Sequence, residues 1–365
     1  MLPFPAFIPA HYQPEEKDLI SMNSHMKDLE TTINQLAKKG KGILAADESM
    51  ATIGKRFEAL KIESTEDNRR AYRELLMSTP GINEYIAGVI LFEETLNQTT
   101  SNGMKFPDFL RSQSILPGIK VDKGLIPLIN STDEQATQGL DGLNERLAEY
   151  KSKGACFAKW RAVYAVSEKT PSRMAVKMNA NSLAHYAALC QANGIVPIVE
   201  PEVLIDSNHT IERCAEVTEN VLHAVFHSLH KYKVKLEYIV LKPSMVINGK
   251  QCPTKASAEQ VGKMTVMVLR RTVPAAVPTI NFLSGGQSPE EATANLNAMN
   301  MLAGNPWNLS YSYARALQDY CMKTWKGDAK NVSAAQAIFL QRAKLNSLAS
   351  LGKYTSSLEK ETSFA

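Results

Sequence analysis

The sequence predicts an α/β fold in which eight parallel strands close into a single (β/α)8 TIM barrel, with an N-terminal helical extension and a flexible C-terminal tail. Three observations carry that expectation. Eight short apolar runs recur along the chain, each stopping at a polar or charged group before a helix-like segment. Most successive stops lie about 30 to 45 residues apart, the span that a strand, a loop and a returning helix need. No low-complexity linker or shift in composition divides the 365 residues, so one domain is expected over residues 16–351. A doubly wound open sheet is the runner-up. Its nucleotide-binding form would carry a GxGxxG turn after the first strand, where this chain has AADESMATIGKR.

Residues 1–15 read as an irregular arm. A helix is expected over 16–39, with Leu19, Ile20, Met26, Leu29, Ile33 and Leu36 on one buried stripe, ended by Gly40 and Gly42. The run ILAA then stops at Asp47, Glu48 and Ser49, and YIAGVILF (85–92) at Glu93 and Glu94. SILPGIKVDKG carries Lys120, Asp122 and Lys123. CFAKWRAV (156–163) carries Lys159 and Arg161, and IVPIVEPE ends with Glu200 and Glu202.

LEYIVLKPSMV (236–246) is the run with the strongest chemical signal. Leu236, Tyr238, Ile239, Val240 and Leu241 suit a strand covered on both faces, and Pro243 places Lys242 at its C-terminal end. VPTINFLSGG stops at Ser284, Gly285 and Gly286, and NLSYSYAR at Ser312 and Arg315. Helical segments are expected over 142–154, 176–194, 210–232 and 254–273. Ser288, Pro289, Glu290 and Glu291 form a capping box with proline at the first helical position. Residues 352–365 form the tail.

Composition narrows the class of function. The chain is 44% apolar and 21% charged, with a net charge of +4, so charge alone points to no nucleic-acid or membrane partner. Five widely spaced cysteines without a CxxC pair suit reduced thiols in a cytoplasmic protein. MLPFPAFIPAH is a poor signal peptide, no apolar run reaches membrane length, and ETSFA is neither a prenylation nor a peroxisomal signal.

In a barrel the strand ends converge on one mouth, where active sites are built. That gathers Asp47, Lys120, Lys159, Arg161, Glu200, Glu202, Lys242, Ser284, Gly285 and Arg315. Lys242 is the candidate nucleophile, because a neutral amine attacks a carbonyl to form a Schiff base. An adjacent Lys159 would lower its pKa by like-charge repulsion. Asp47, Glu200 and Glu202 can exchange protons with substrate hydroxyls.

LSGGQS suits a phosphate cradle, with Arg315 in the following unit. Ser49, Thr52, Lys55 and Arg56, with Lys120 and Arg161, suggest a second anion site. Two such sites flanking an imine-forming lysine imply a small sugar with a phosphate at each end. His223, His227 and His230 share a helical face. A surface stripe is the expected reading there rather than a metal site, since no further ligand follows the pattern. Trp160, Trp307 and Trp325 are expected to pack.

KGILAADES (41–49), IKVDKG (119–124), FAKWR (157–161), GIVPIVEPE (194–202), VLKPSMV (240–246), FLSGGQS (282–288) and PWNLSYSYARALQ (306–318) together closely resemble class I fructose-1,6-bisphosphate aldolase. The resemblance runs from about residue 28 to residue 355. It implies a glycolytic lyase that needs no metal or other cofactor, because the substrate itself bonds to Lys242. Lys242 matches the Schiff-base lysine and Glu200 the glutamate that moves protons around imine formation. Asp47 matches the aspartate acting on the hydroxyl of the cleaved bond. Lys159 matches the lysine assisting the carbinolamine, with Glu202 a neighbouring acid.

Ser284, Gly285 and Arg315, joined by Gly286, Ser312 and the Ala314 backbone, match the C1-phosphate side. Ser49, Thr52, Lys55, Lys120 and Arg161 fall on the C6-phosphate side. The resemblance also implies a homotetramer, with cytoskeletal or adhesin contacts in some members.

Two departures stand out. The family's Gly-Arg pair is here Ala314-Arg315. Many members end in a tyrosine that reaches the active site, whereas this chain ends in Phe364-Ala365 with Tyr354 as its nearest tyrosine. Either Tyr354 substitutes or the step runs without that residue. The rivals are a metal-dependent aldolase or other barrel lyase, and a binding scaffold.

Overall fold

The computed structural model describes residues 16–360. The expected arm over 1–15, the terminal Phe364 and Ala365, and the side chains of Leu19 and Ile20 lie outside the described residues. Helix α1 (Glu16–Leu36) leads into β1 (Gly42–Ala46), α2 (Met50–Glu58) and α3 (Glu66–Met77). Then follow β2 (Ile86–Leu91), α4 (Glu93–Asn97), α5 (Phe106–Ser112) and β3 (Leu116–Lys120). A small hairpin, β4 (Leu125–Pro127) and β5 (Gln135–Thr137), precedes α6 (Leu143–Ser152). The chain continues through β6 (Phe157–Tyr164), α7 (Arg173–Ala192), β7 (Val196–Val203), α8 (Ile211–Lys231), β8 (Val240–Leu241) and α9 (Ala258–Thr272). It ends with β9 (Thr279–Phe282), α10 (Pro289–Asn300), β10 (Asn308–Tyr313), α11 (Arg315–Trp325) and α12 (Val332–Ser350).

Eight of these strands form a closed parallel barrel in the order β1, β10, β9, β8, β7, β6, β3, β2. The barrel strands are almost wholly buried on both faces, as parallel strands covered by helices are, and closure leaves no sheet edge for solvent. The interior is a packed cluster of Ile43, Ala45, Ile90, Phe157, Val196, Ile198 and Val240. Leu29, Ile33 and Leu36 of α1 join the same cluster, with Met26 packed against it, so the expected stripe on α1 packs with the barrel interior. The second, larger cluster lies between barrel and helices and includes Trp160, Trp307 and Trp325. Trp160 stacks on Tyr186 and Trp325 on Tyr72, and Trp307 donates to the Pro274 carbonyl at 3.0 Å.

Three local expectations need correction. Gly42 does not end α1 but opens β1, because its amide already bonds to the Tyr85 carbonyl ahead of β2. Gly40, at φ +76°, makes the turn alone. The strand expected over 236–241 is reduced to Val240–Leu241, since Leu236–Tyr238 form a 3-10 turn. The helix expected from 254 begins at Ala258, where Ser257 and Gln260 form a reciprocal capping box.

Phe157 fills the barrel at the cost of side chains on its neighbours. A Cβ on Gly118 would lie 2.2 Å from the Phe157 ring, and one on Gly88 would lie 2.8 Å from it. Gly118→Ala should therefore destabilise the protein by about 1–3 kcal/mol through overpacking. A shift of the urea midpoint checks this, and an unchanged midpoint would show that the ring moves aside freely.

Candidate active site

Asp47, just after β1, Lys159 within β6, Glu200 within β7 and Lys242, just after β8, come together in one buried cluster. Each is less than a tenth exposed. Lys159 Nζ lies 2.7 Å from Asp47 Oδ2 and 3.4 Å from Glu200 Oε2. Lys242 Nζ lies 3.4 Å from Glu200 Oε1. Glu200 therefore stands between two ammonium groups that come from different strands. The Lys242 amide bonds to the Val199 carbonyl at 2.8 Å, so the backbone ladder holds the lysine although β8 itself is short.

Register explains the grouping. Lys120 of β3 pairs with Lys159 of β6, and Arg161 of β6 with Glu200 of β7. Alternation along β6 places Phe157, Lys159 and Arg161 on one face, with Ala158, Trp160 and Ala162 on the other. Arg161 is paired with Glu202, and Lys120 with Asp122 at 2.8 Å.

Buried charges persist only when compensated. Burial works against the charge of Asp47, but Lys159, then Lys242, then the Lys159 hydrogen bond and Lys120 outweigh it and bring its carboxyl to about 2. Burial likewise works against the Lys159 ammonium, yet Asp47, Glu200 and Asp122 raise its pKa well above the usual lysine range. Arg161 is also raised, with Glu202 overcoming the burial that opposes it.

The Asp47 carboxyl is thus more acidic folded than unfolded. Its contribution to stability is complete above about pH 4, the unfolded value, and is lost as the pH falls through about 2. The difference in urea midpoint between the parent protein and Asp47→Asn should narrow below pH 4. A constant difference would mean that the carboxylate is not held ionised by its neighbours.

Unsatisfied buried polar atoms are rare and need an explanation. Three atoms without a hydrogen bond lie at this end of the barrel: Glu200 Oε2, which has only the 3.4 Å ion pair with Lys159, Ser312 Oγ at the end of β10, and Asp122 Oδ2. Each keeps acceptor capacity that a substrate hydroxyl could use.

The loop after β9 carries Ser284, buried, then Gly285 at φ +54° and Gly286 at φ +87°. Both glycines adopt the left-handed conformation that lets consecutive amides turn the same way. Arg315 opens α11, and its Nη2 lies 3.4 Å from where a Cβ on Gly286 would sit. Ala314 has φ −101°, so this position needs no glycine. Ser49 caps α2 and meets Thr52, Oγ to Oγ1, at 3.1 Å, while Lys55 is exposed on the same helix. Arg56 does not join an anion site, because Glu48, Gln318 and Asp319 take its guanidinium.

Asp122 is the main residue that sequence reasoning left out of the site. The signal was present in IKVDKG, an acid between two lysines at a strand end. Tyr354 is engaged elsewhere. Its hydroxyl donates to Glu359 at 3.0 Å and its amide to Asn297 Oδ1 at 3.0 Å. Burial, then Glu359, pushes the phenol up to about 12. His223, His227 and His230 are exposed on α8, and no group of three or more metal-ligating side chains occurs among the described residues.

Known proteins share this fold and about half of its sequence. The family model described as fructose-bisphosphate aldolase class-I matches residues 28–364. The fructose-bisphosphate aldolase of Dictyostelium discoideum is 56% identical over 338 residues, which span 92% of this chain and 95% of that one. The cytoplasmic isozyme of Spinacia oleracea is 54% identical over 328 residues, covering 90% of this chain and 92% of the other. A solved Plasmodium falciparum fructose-bisphosphate aldolase, in complex with TRAP and a small-molecule inhibitor, superposes with a TM-score of 0.90 at 50% identity. The match covers 91% of this chain and 96% of that one. With a barrel of this topology, and a family match over nearly all of its length, the chain belongs to the class I fructose-bisphosphate aldolases.

Proposed function

We propose that the enzyme reversibly cleaves fructose 1,6-bisphosphate into dihydroxyacetone phosphate and glyceraldehyde 3-phosphate through a Schiff base on Lys242, without a metal. The observation that carries this reading is the buried set around Glu200, with two ammonium groups each 3.4 Å from its carboxylate and Asp47 on the far side of Lys159.

Lys242 passes its ammonium proton to Glu200, the neutral amine attacks the C2 carbonyl carbon, and the proton that the nitrogen then sheds moves to the carbonyl oxygen to give the carbinolamine. Glu200 delivers the proton that lets this oxygen leave as water, forming the protonated imine. The charged Lys159 steadies the oxygen as its charge changes. Asp47, ionised at neutral pH, takes the proton of the C4 hydroxyl. The C3–C4 electron pair moves into the imine, and glyceraldehyde 3-phosphate departs. Reprotonation at C3 and hydrolysis of the imine release dihydroxyacetone phosphate and restore Lys242.

Ser284, Gly285, Gly286, Ser312, Ala314 and Arg315 receive the C1 phosphate. Lys120, Arg161, Ser49, Thr52 and Lys55 face the C6 phosphate, and Glu202 keeps Arg161 in place. Tyr354 takes no part in reprotonation, since its phenol is bound to Glu359.

Borohydride reduction in the presence of dihydroxyacetone phosphate should trap one substrate on Lys242. An adduct on another residue, or none, removes the assignment. Full activity after exhaustive chelation is the expected result for the metal-independent reading, and its loss favours a metal-dependent lyase.

We further infer a homotetramer in a reducing compartment such as the cytoplasm. The family resemblance supports the first and the five free cysteines the second. Sedimentation showing a monomer at working concentration removes the tetramer. Contacts with an adhesin or the cytoskeleton would be separate from catalysis, and should persist in Lys242→Ala.

A further inference from the structure

Lys250 lies outside the cluster just described, on the loop between β8 and α9. Its backbone is fixed. The Lys250 amide bonds to the Ile205 carbonyl at 2.7 Å, that of Gly249 to His209 at 2.9 Å and that of Gln251 to Ser207 at 3.0 Å. Lys255 Nζ ties the same loop through the Gly249 and Lys250 carbonyls at 3.0 and 2.8 Å. A Cβ at Gly249 would meet the Ser207 carbonyl oxygen at 2.1 Å, so the loop can approach this closely only with glycine there.

The Lys250 side chain, by contrast, is half exposed. Its ammonium pairs with Asp206 at 2.7 Å, and 47% of the lysine side chain and 65% of the aspartate side chain face solvent. An exposed pair of this kind is worth roughly 0–1 kcal/mol, so it exchanges partners at little cost. The ammonium also reaches over Gly286. A Cβ built there would lie 3.1 Å from Lys250 Nζ and 3.4 Å from Arg315 Nη2. Two cations, one from the loop after β8 and one from the first turn of α11, thus converge on the glycine turn after β9. One is held by a weakly bound carboxylate. The other, Arg315, has no ion-pair partner among the described residues.

We propose that Lys250 is a further phosphate-binding residue of this enzyme, stored on Asp206 and transferred to the substrate's C1 phosphate when that group enters the Ser284–Gly286 loop. The inference rests on the phosphate reading of that loop given above. A dianionic phosphate outcompetes one exposed carboxylate for an ammonium, because it offers more charge and three acceptor oxygens. Lys250 touches no atom that reacts, so its effect falls on binding.

Steady-state kinetics with fructose 1,6-bisphosphate test this. Lys250→Gln should raise KM about three- to tenfold, the loss of one hydrogen bond at a half-exposed site, with kcat nearly unchanged. Lys250→Arg should restore KM to within about twofold. Asp206→Asn should lower KM about two- to threefold by freeing the ammonium. Competitive inhibition by inorganic phosphate should follow the same order.

A purely structural role for the pair predicts instead that Lys250→Gln and Asp206→Asn both raise KM, and that result overturns the proposal. Arg315→Gln separates the two levels of inference. If it raises KM while Lys250→Gln does not, Lys250 alone is excluded. If neither variant changes KM, the phosphate assignment of the loop falls as well.

Discussion

Lys242→Met should lower kcat about a hundred-thousandfold or more, with the protein still folded. A nucleophile that acts together with its acid–base partners cannot be replaced by them, so its loss removes nearly all of the chemical advantage. Methionine has similar length and suits a site in which the lysine is 3% exposed. Glu200 retains one cation, since Lys159 remains 3.4 Å away, so the substitution does not strand a buried carboxylate. The borohydride adduct should vanish with the activity, and circular dichroism should be unchanged. Activity within about a hundredfold of the parent enzyme would move the covalent role to another side chain.

Glu200→Gln is expected to act on catalysis and stability together. Proton transfer by a positioned carboxyl contributes about a hundred- to ten-thousandfold, and kcat should fall within that range. The amide keeps the shape but not the charge. Glu200 is the carboxylate shared by Lys159 and Lys242, and its side chain is 5% exposed. Removing the charge of one partner in a buried ionic group costs about 3–5 kcal/mol. Urea unfolding at neutral pH reads that loss independently of turnover. A fall in kcat without a fall in stability would mean that water reaches the cluster and compensates both ammonium groups. Unchanged kcat would remove Glu200 from the proton-transfer role.

Most barrel strands were readable because each combines an apolar run with a polar stop. ILAA before Asp47, YIAGVILF before the Glu93 pair and IVPIVE at β7 all appear close to where they were expected. The strand before Lys242 is shorter than the propensity of its residues predicts, since Leu236–Tyr238 tighten into a turn that delivers the chain to β8. The hairpin β4–β5 gave no signal, being three residues a side with Pro127 at one end. Arg56 departs from its expected place for a different reason. Its partners Gln318 and Asp319 lie more than 260 positions away, and local spacing carries no trace of them.

By itself, the sequence determined which residues could do chemistry and that strand ends would present them, because apolar periodicity and polar stops are local properties of the chain. It also carried the family, through motifs that hold their residue types and order together. Tertiary structure alone decided which charges neutralise one another. Glu200 between two lysines, Asp47 against Lys159, Arg56 withdrawn to the flank and Lys250 over Gly286 all depend on barrel closure and register. Electrostatic energy falls with distance in space, and burial sets its strength, so the state of each ionisable group is fixed only once the fold has chosen its neighbours.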